Sequence, residues 1–124
     1  MWLSLPKNNP PQGIEENLKR AVAEMLVLAM LNREDMHAHQ ISQNLYEGSG
    51  NRLNIVPPYM LLYRLMENNY VQDLHKSTAP DGRRRQYYQI TEAGRRYLME
   101  LIARYNDFIE GVTLLLTEGG ANNE

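Results

Sequence analysis

The segment "STAPDGRRRQYYQITEAGRR" (Ser77–Arg96) contains the features that decide the fold of this 124-residue chain. Its Pro-Asp-Gly sequence at 80–82 has the composition of a tight turn. On either side of the turn, "YVQDLHK" (70–76) and "RRQYYQIT" (84–91) have the composition of strands. Three consecutive arginines follow the turn. The segment therefore predicts a β-hairpin with a basic tip.

The second strand of this hairpin leads directly into a helix. Alternation along the strand places Tyr88 and Ile90 on one face and Tyr87 and Gln89 on the other. Thr91 is a good N-cap residue, because its hydroxyl can accept a hydrogen bond from an unpaired amide in the first helical turn. We therefore expect a buried Tyr88–Ile90 face and a helix that begins immediately after Thr91.

Three further helices are predicted before the hairpin, at Ile14–Leu31, Met36–Tyr46 and Pro58–Asn68. Each has apolar residues at helical spacing on one face. A short strand is predicted between the last two, at "RLNIV" (52–56), because Leu53 and Ile55 alternate there with polar residues. The predicted inner faces consist of Leu18, Val22, Met25 and Ala29, then Ala38, Ile41 and Leu45, then Leu62 and Leu65.

The final helix is predicted to span Glu92–Thr117, which is ~39 Å at ~1.5 Å per residue and longer than one small domain can cover. Its apolar residues have a near-heptad spacing, which is typical of a helix that pairs with another helix. We therefore expect a homodimer. The predicted contact residues are Tyr97, Leu101, Tyr105, Phe108, Val112 and Leu115.

This order of elements predicts a mainly α (α+β) fold, a winged helix–turn–helix with a long C-terminal dimerisation helix. We expect a flexible N-terminal arm at residues 1–13, which carries Trp2, because proline and glycine interrupt it. The winged-helix domain is expected at 14–91, the dimerisation helix at 92–117 and a disordered tail at 118–124.

Several function classes are excluded by composition. The chain has no cysteine, which removes disulfides, thiolate catalysis and cysteine zinc sites. His37 and His39 do not share a helix face, so we expect no metal, and no catalytic constellation or phosphate loop suggests an enzyme or a cofactor. No apolar run approaches the ~20 residues of a membrane span, and we expect a soluble, cytoplasmic protein.

Charge is segregated along the chain. The net charge is −2, yet residues 76–96 contain six basic and two acidic side chains. Arg83, Arg84 and Arg85 lie at the hairpin tip, where they either contact DNA phosphates or the minor groove, or form a solvated turn. Since side chains alternate along a strand, Arg84 and Arg85 are expected to point to opposite faces. At least one of them can then pair with an acid of its own domain.

The sequence resembles the PadR-type transcriptional regulators, in the short form with one C-terminal dimerisation helix. "GRRRQYYQITEAGRRYL" (82–98) is similar to that family's Gly-x-x-Arg-(Lys)-Tyr-Tyr-x-Leu-Thr-x-x-Gly pattern at the wing and last helix. "PPYMLLYRLMENNYV" (57–71) and "MHAHQI" (36–41) are similar to its recognition-helix and second-helix motifs. The resemblance covers about residues 17–115. It implies a dimeric DNA-binding regulator, commonly a repressor, released by an effector that binds between the subunits.

The chain departs from the family pattern mainly at the entry to the third helix. Pro57-Pro58 replace Ser-Leu and Met60 replaces a proline, while His39 replaces a tyrosine and Asn69 a glycine. The DNA preference of relatives therefore does not transfer to this chain. Its specificity is expected to depend partly on DNA shape, since methionine cannot read base edges by hydrogen bonding.

The candidate DNA-binding residues on the third helix are Tyr59, Met60, Tyr63 and Arg64. The N-terminal end of a recognition helix reaches base edges, so we expect Met60 and Tyr63 to meet bases and Arg64 to meet phosphate. Tyr59 either contacts DNA or packs under the wing. The rival interpretation is a winged-helix protein-interaction module, in which the arginines meet an acidic protein surface instead of DNA.

Two interpretations also apply to the aromatic residues of the last helix. Tyr97, Tyr105 and Phe108 either form the core of the dimer interface or, with Leu101 and Val112, line a pocket for a small aromatic effector. A third possibility is that ligand sensing is absent and that control lies in the amount of protein.

Overall fold

The computed structural model describes the backbone of residues 11–121 and the side chains of residues 13–117. Residues 1–10, with Trp2, and residues 122–124 lie outside this range, and so do the corresponding parts of the predicted arm and tail. The four helices are α1 (Pro11–Leu31), α2 (Ala38–Gly48), α3 (Tyr59–Glu67) and α4 (Glu92–Ala121). The helix predicted from Ile14 thus begins at Pro11, and the predicted tail at 118–121 is helical.

The described residues contain five short strands in two antiparallel sheets. The strands are β1 (Met36–His37), β2 (Val71–Asp73), β3 (Ser77–Thr78), β4 (Arg84–Arg85) and β5 (Tyr87–Ile90). The first sheet has the order β1-β5-β2, and the second contains only β3 and β4. In the first sheet Val71 is opposite Ile90, and Met36 is opposite Tyr88.

The predicted hairpin is present, but each of its strands is interrupted. The interruption lies at Gln86, whose side-chain amide donates to the carbonyls of Leu74 and Tyr87. A side chain therefore replaces part of the backbone ladder at this position. As a result β3 and β4 form a separate ribbon beyond the main sheet.

The core lies where the helices meet one face of the first sheet. Its fully buried side chains include Leu28, Ile41, Leu62, Leu65 and Leu98. The predicted inner faces of α2 and α3 are confirmed, because each of their members is buried. The predicted burial of Tyr88 and Ile90 is also confirmed.

The predicted inner face of α1 is correct only toward the C-terminal end of the helix, where Met25 and Ala29 pack against the core. Leu18 is 54% exposed, and Val22, Met25 and Ala29 are only partly buried. The buried residues are instead Val27, Leu28, Met30 and Leu31. Only the C-terminal end of α1 is enclosed by the core, so an apolar stripe along its first half faces outward.

The second helix begins at Ala38 rather than at Met36. Met36 and His37 form β1 instead, because they pair with Tyr88 and Tyr87 of β5. His37 is then the N-cap of α2, and its Nδ1 accepts a hydrogen bond from the Gln40 backbone at 3.2 Å. A two-residue strand has no periodicity that sequence reasoning can detect.

The strand predicted at residues 52–56 is absent. The backbone there is held by side chains: the Ser49 hydroxyl accepts from the Leu53 amide at 2.9 Å, and Lys19 donates to the Asn54 carbonyl at 3.1 Å. Ile55 packs against the core while Val56 is 78% exposed. The alternation of residues in this loop therefore reflects one-sided burial without strand pairing.

The junction between the hairpin and α4 forms as predicted. The Thr91 hydroxyl accepts from the Gly94 amide at 3.0 Å and donates to the Asn69 carbonyl at 2.7 Å. Asn69 adopts a left-handed backbone with φ of 63° at the end of α3. Thr91 thereby caps α4 and also ties it to the turn that follows α3.

None of the helices in the described part of the chain is long and apolar enough to cross a membrane.

Candidate nucleic-acid interface

The outer face of α3 is exposed because its opposite face is completely buried. Leu62 and Leu65 have no accessible surface, and this fixes the rotation of the short helix about its axis. The predicted DNA-binding residues therefore point outward. Tyr59 is 52% exposed, Met60 78% and Tyr63 56%, and Arg64 is also exposed.

Tyr59 contacts α2 as well as solvent. Its hydroxyl lies 3.4 Å from Nδ1 of His39, and the two rings are in an edge-to-face arrangement with centroids 6.2 Å apart. Tyr59 therefore packs against α2 and retains about half of its surface for another partner. It lies beside the wing, which is the β3–β4 ribbon with its turn, residues 77–85.

The wing turn is shaped by backbone hydrogen bonds and by one acid. The Gly82 amide donates to the Ala79 carbonyl at 2.9 Å, and Gly82 has a φ of 86°, which favours glycine. Asp81 accepts from the Arg83 backbone at 3.0 Å. Hydrogen bonding from the Arg85 side chain, followed by that from the Arg83 amide, lowers the pKa of Asp81. Asp81 is therefore a carboxylate that two groups of the wing stabilise.

The three wing arginines have different environments. Arg83 is exposed, and its backbone amide, which donates to Asp81, makes its hydrogen bond within the wing turn. Arg84 is also exposed, and it donates to the Lys76 carbonyl at 3.2 Å. Arg85 has a side chain only 18% exposed; it forms an ion pair with Asp81 at 2.9 Å and donates to Nδ1 of His39 at 3.0 Å. The hypothesis that one arginine pairs with an acid of its own domain is confirmed for Arg85.

A second surface lies between α1 and α4. A cavity of about 410 Å³ there is lined by Leu101, Tyr105 and Phe108 of α4, together with residues of α1 that include Leu18 and Met25. A neighbouring cavity of about 470 Å³ also includes Tyr105. The structure thus brings together three of the five predicted pocket residues.

Tyr97 has a different environment from these three residues. Its ring stacks on Tyr70 with centroids 4.2 Å apart, and its hydroxyl donates to Glu24 of α1 at 2.9 Å. Burial and the hydrogen bond to Glu24 raise the pKa of Tyr97 to about 12. Val112 is partly buried further along the helix and does not line either cavity.

Sequence reasoning missed four partners in these contacts: His39, Asp81, Glu24 and Tyr70. The first two bind Arg85, and the other two bind Tyr97. The only sequence signal was the i, i+4 spacing of Asp81 and Arg85 across the turn. The remaining pairs join residues between 27 and 73 positions apart, which local patterns do not reveal.

Four helices with a β-wing, and a last helix that extends beyond the core, define a winged helix–turn–helix protein. Solved structures with this fold include a transcriptional regulator from Clostridium thermocellum, with a TM-score of 0.70 and 21% identity over 78% of this chain and 92% of that one. A PadR-like transcriptional regulator from Bacillus cereus has a TM-score of 0.67 and 22% identity, covering 81% and 96% of the two chains.

The sequence profile of the "Transcriptional regulator PadR-like family" matches residues 27–100, which is more than half of the chain. The chain therefore belongs to this family, whose members are DNA-binding transcriptional regulators. Bacillus subtilis PadR, solved in complex with operator DNA, is similar in fold with a TM-score of 0.56 and 16% identity, over 65% of this chain and 46% of that one.

Proposed function

We propose that the chain is a cytoplasmic homodimeric repressor that binds a pseudo-palindromic operator through α3 and the wing. One observation carries this proposal: Tyr59 at the start of α3 and Arg85 of the wing both contact His39. The exposed end of α3 is therefore adjacent to the basic wing. This is the arrangement that a helix in a major groove and a wing on the flanking backbone require.

The proposed contacts with DNA are of two chemical kinds, to base edges and to phosphates. Met60 at the start of α3 and Tyr63 at its middle are exposed, where they would meet base edges. Methionine suits apolar contact with thymine methyl groups. Arg64, Arg83 and Arg84 are exposed cations that would bind phosphates. The Bacillus subtilis relative, solved in complex with operator DNA, supports DNA as the partner.

Dimerisation is proposed through the second half of α4. Phe108 is 69% exposed, and three consecutive leucines at 114–116 are between 60% and 76% exposed. Apolar patches of this kind on a soluble protein usually mark an interaction surface. Pairing of two such helices would relate the two α3 helices by a twofold axis, with half-sites about one helical turn, ~10 bp, apart.

A small aromatic effector is proposed to bind between α1 and α4. The two cavities at Tyr105 have volumes of about 410 and 470 Å³, which suit a small flat molecule, and their walls are mainly apolar. An effector there would contact α1 and α4 together. A shift in the contact of these helices would alter the dimer and release DNA.

The DNA-binding proposal is tested by selecting duplexes from a random-sequence library and measuring the salt dependence of their binding. Arg83→Ala and Arg84→Ala should each reduce the slope of log K against log salt by about 0.9, the value for one phosphate contact. Arg20→Ala, which removes an exposed arginine of α1, is the matched control and should leave the slope unchanged. Unaltered slopes for both wing variants would contradict the phosphate contacts.

Dimerisation is tested by sedimentation of a Phe108→Asp variant, which places a charge in the exposed apolar stripe. The wild-type chain should sediment as a dimer and the variant as a monomer, while Glu110→Ala, an exposed change on the same helix, should remain dimeric. A monomeric wild-type chain would contradict the proposal.

The second candidate function is a winged-helix protein-interaction module. It is favoured by the exposure of Val56 and Met60, each 78% exposed at the entry to α3, since apolar side chains also suit a protein partner. The same library selection separates the two. If no duplex is enriched and the chain does not bind duplex DNA, the interaction module is favoured.

A further inference from the structure

The wing tip is weakly connected to the rest of the domain. Its ribbon of β3 and β4 is a separate two-stranded sheet, and such ribbons are marginally stable in water. Of residues 77–84, Ala79 alone is buried, at 4% exposure. Apolar burial therefore contributes little to the direction in which the wing points.

A groove of about 600 Å³ separates the wing from α2, and most of the residues that line it have polar side chains. Arg85 crosses this groove. One of its terminal nitrogens holds Asp81 in the turn at 2.9 Å, and the other contacts His39 of α2 at 3.0 Å. Because Tyr59 also contacts His39, a continuous set of polar contacts runs from the wing turn to the start of α3.

The chemistry of these groups fixes their roles. A guanidinium group only donates hydrogen bonds, so Nδ1 of His39 is the acceptor in its contact with Arg85. Both terminal nitrogens of Arg85 have partners within the domain, and its side chain is 18% exposed. Arg85 consequently has little capacity left for bidentate binding of a phosphate.

We propose that Arg85, Asp81 and His39 are positioning residues that set the orientation of the wing relative to α3. This inference rests on the proposed DNA-binding function, and it divides the wing arginines into two classes. Arg83 and Arg84 bind phosphate, whereas Arg85 holds the wing where those two can reach the backbone. The three consecutive arginines are therefore not equivalent.

The test uses the full chain and a duplex selected by the wild-type protein from a random library. Arg85→Met and His39→Leu should each weaken binding about tenfold, within the range for coupled networks. Neither should change the salt slope, while Arg83→Ala lowers it by about 0.9. His39→Asn offers an amide oxygen close to the position of Nδ1 and should restore binding to near the wild-type level.

Two results would overturn the proposal. The first is a salt slope of Arg85→Met that is reduced as much as that of Arg83→Ala, which would show that Arg85 contacts phosphate directly. The second is a His39→Leu variant that binds DNA with the affinity of the wild-type chain. Failure of the wild-type chain to select any duplex would refute the proposed function instead. In that case hydrogen exchange still tests the positioning contacts. The Ala79 and Gly82 amides should exchange about tenfold faster in His39→Leu than in His39→Asn. Equal exchange rates would refute the positioning role.

Discussion

Gly94, in the first turns of α4, provides the sharpest test of how this helix joins the winged-helix domain. A Cβ atom at Gly94 would lie 2.1 Å from the Tyr70 carbonyl oxygen and 2.8 Å from a side-chain carbon of Ile90. The first contact is with backbone, which cannot rotate away as a flexible side chain could. Gly94→Ala therefore requires α4 to move away from β2.

The size of the effect follows from these contacts. An ordinary contact of at least 3.4 Å requires a displacement of more than one ångström, which would stretch the 3.0 Å hydrogen bond from the Thr91 amide to the Tyr70 carbonyl. Overpacking typically costs ~1–3 kcal/mol. Loss of the hydrogen bond adds ~1 kcal/mol, and the better helix propensity of alanine returns about 1 kcal/mol. We expect a net destabilisation of about 1–3 kcal/mol.

The assay is urea unfolding followed by circular dichroism, with wild type and variants at the same protein concentration. The matched control is Gly48→Ala at the end of α2, where an added Cβ meets nothing within 4 Å. That variant should keep its stability or gain up to ~1 kcal/mol. If Gly94→Ala were as stable as Gly48→Ala, the close approach of α4 to Tyr70 would be refuted.

Two further predictions concern hydrogen-bonded ionisable groups. Burial, and then the charge of Arg85, lower the pKa of His37 below its ordinary value of 6.5. As the pH drops below 6.5, the unfolded chain therefore binds a proton at His37 before the folded chain does, and the free energy of unfolding decreases. His37→Asn retains an N-cap acceptor and should flatten this decline in urea unfolding; parallel pH profiles would contradict the role of His37. Tyr97→Phe leaves Glu24 without its donor and should cost ~1–2 kcal/mol by urea unfolding. In an ultraviolet titration the variant should also lack the phenol whose pKa is about 12, and an unchanged titration would contradict the assignment.

The helices and their caps could be predicted because their determinants are local. Ala38, Ile41 and Leu45 recur at helical spacing and are all buried, and Thr91 caps α4 as its position indicates. The loop at 52–56 was mistaken for a strand because its alternation arises from one-sided burial. In the absence of a pairing partner, sequence periodicity alone cannot distinguish the two cases.

The candidate interface was predictable only in outline. The spacing of Leu62 and Leu65 indicated which residues of α3 point outward, and the structure agrees. The role of Arg85 could not be derived, because it depends on His39, 46 positions earlier in the chain. The same limit applies to Tyr97, whose partner Glu24 is 73 positions away. In the sequence, Tyr97 and Tyr105 belong to the same near-heptad apolar pattern, so the pattern does not distinguish their environments.

The first turns of α4 and its second half differ in a way that bears on the proposed dimer. Leu98 is 1% exposed and Tyr97 is stacked and hydrogen-bonded, so these contacts anchor the helix to the domain at its junction. Beyond Tyr105 most of its large apolar side chains are exposed, although Val112 is partly buried. In the proposed dimer, the distance between the two α3 helices is then set by how the outer halves of α4 pair. Binding of the proposed effector at Tyr105 would then change the spacing of the two winged-helix domains without altering the structure of either domain.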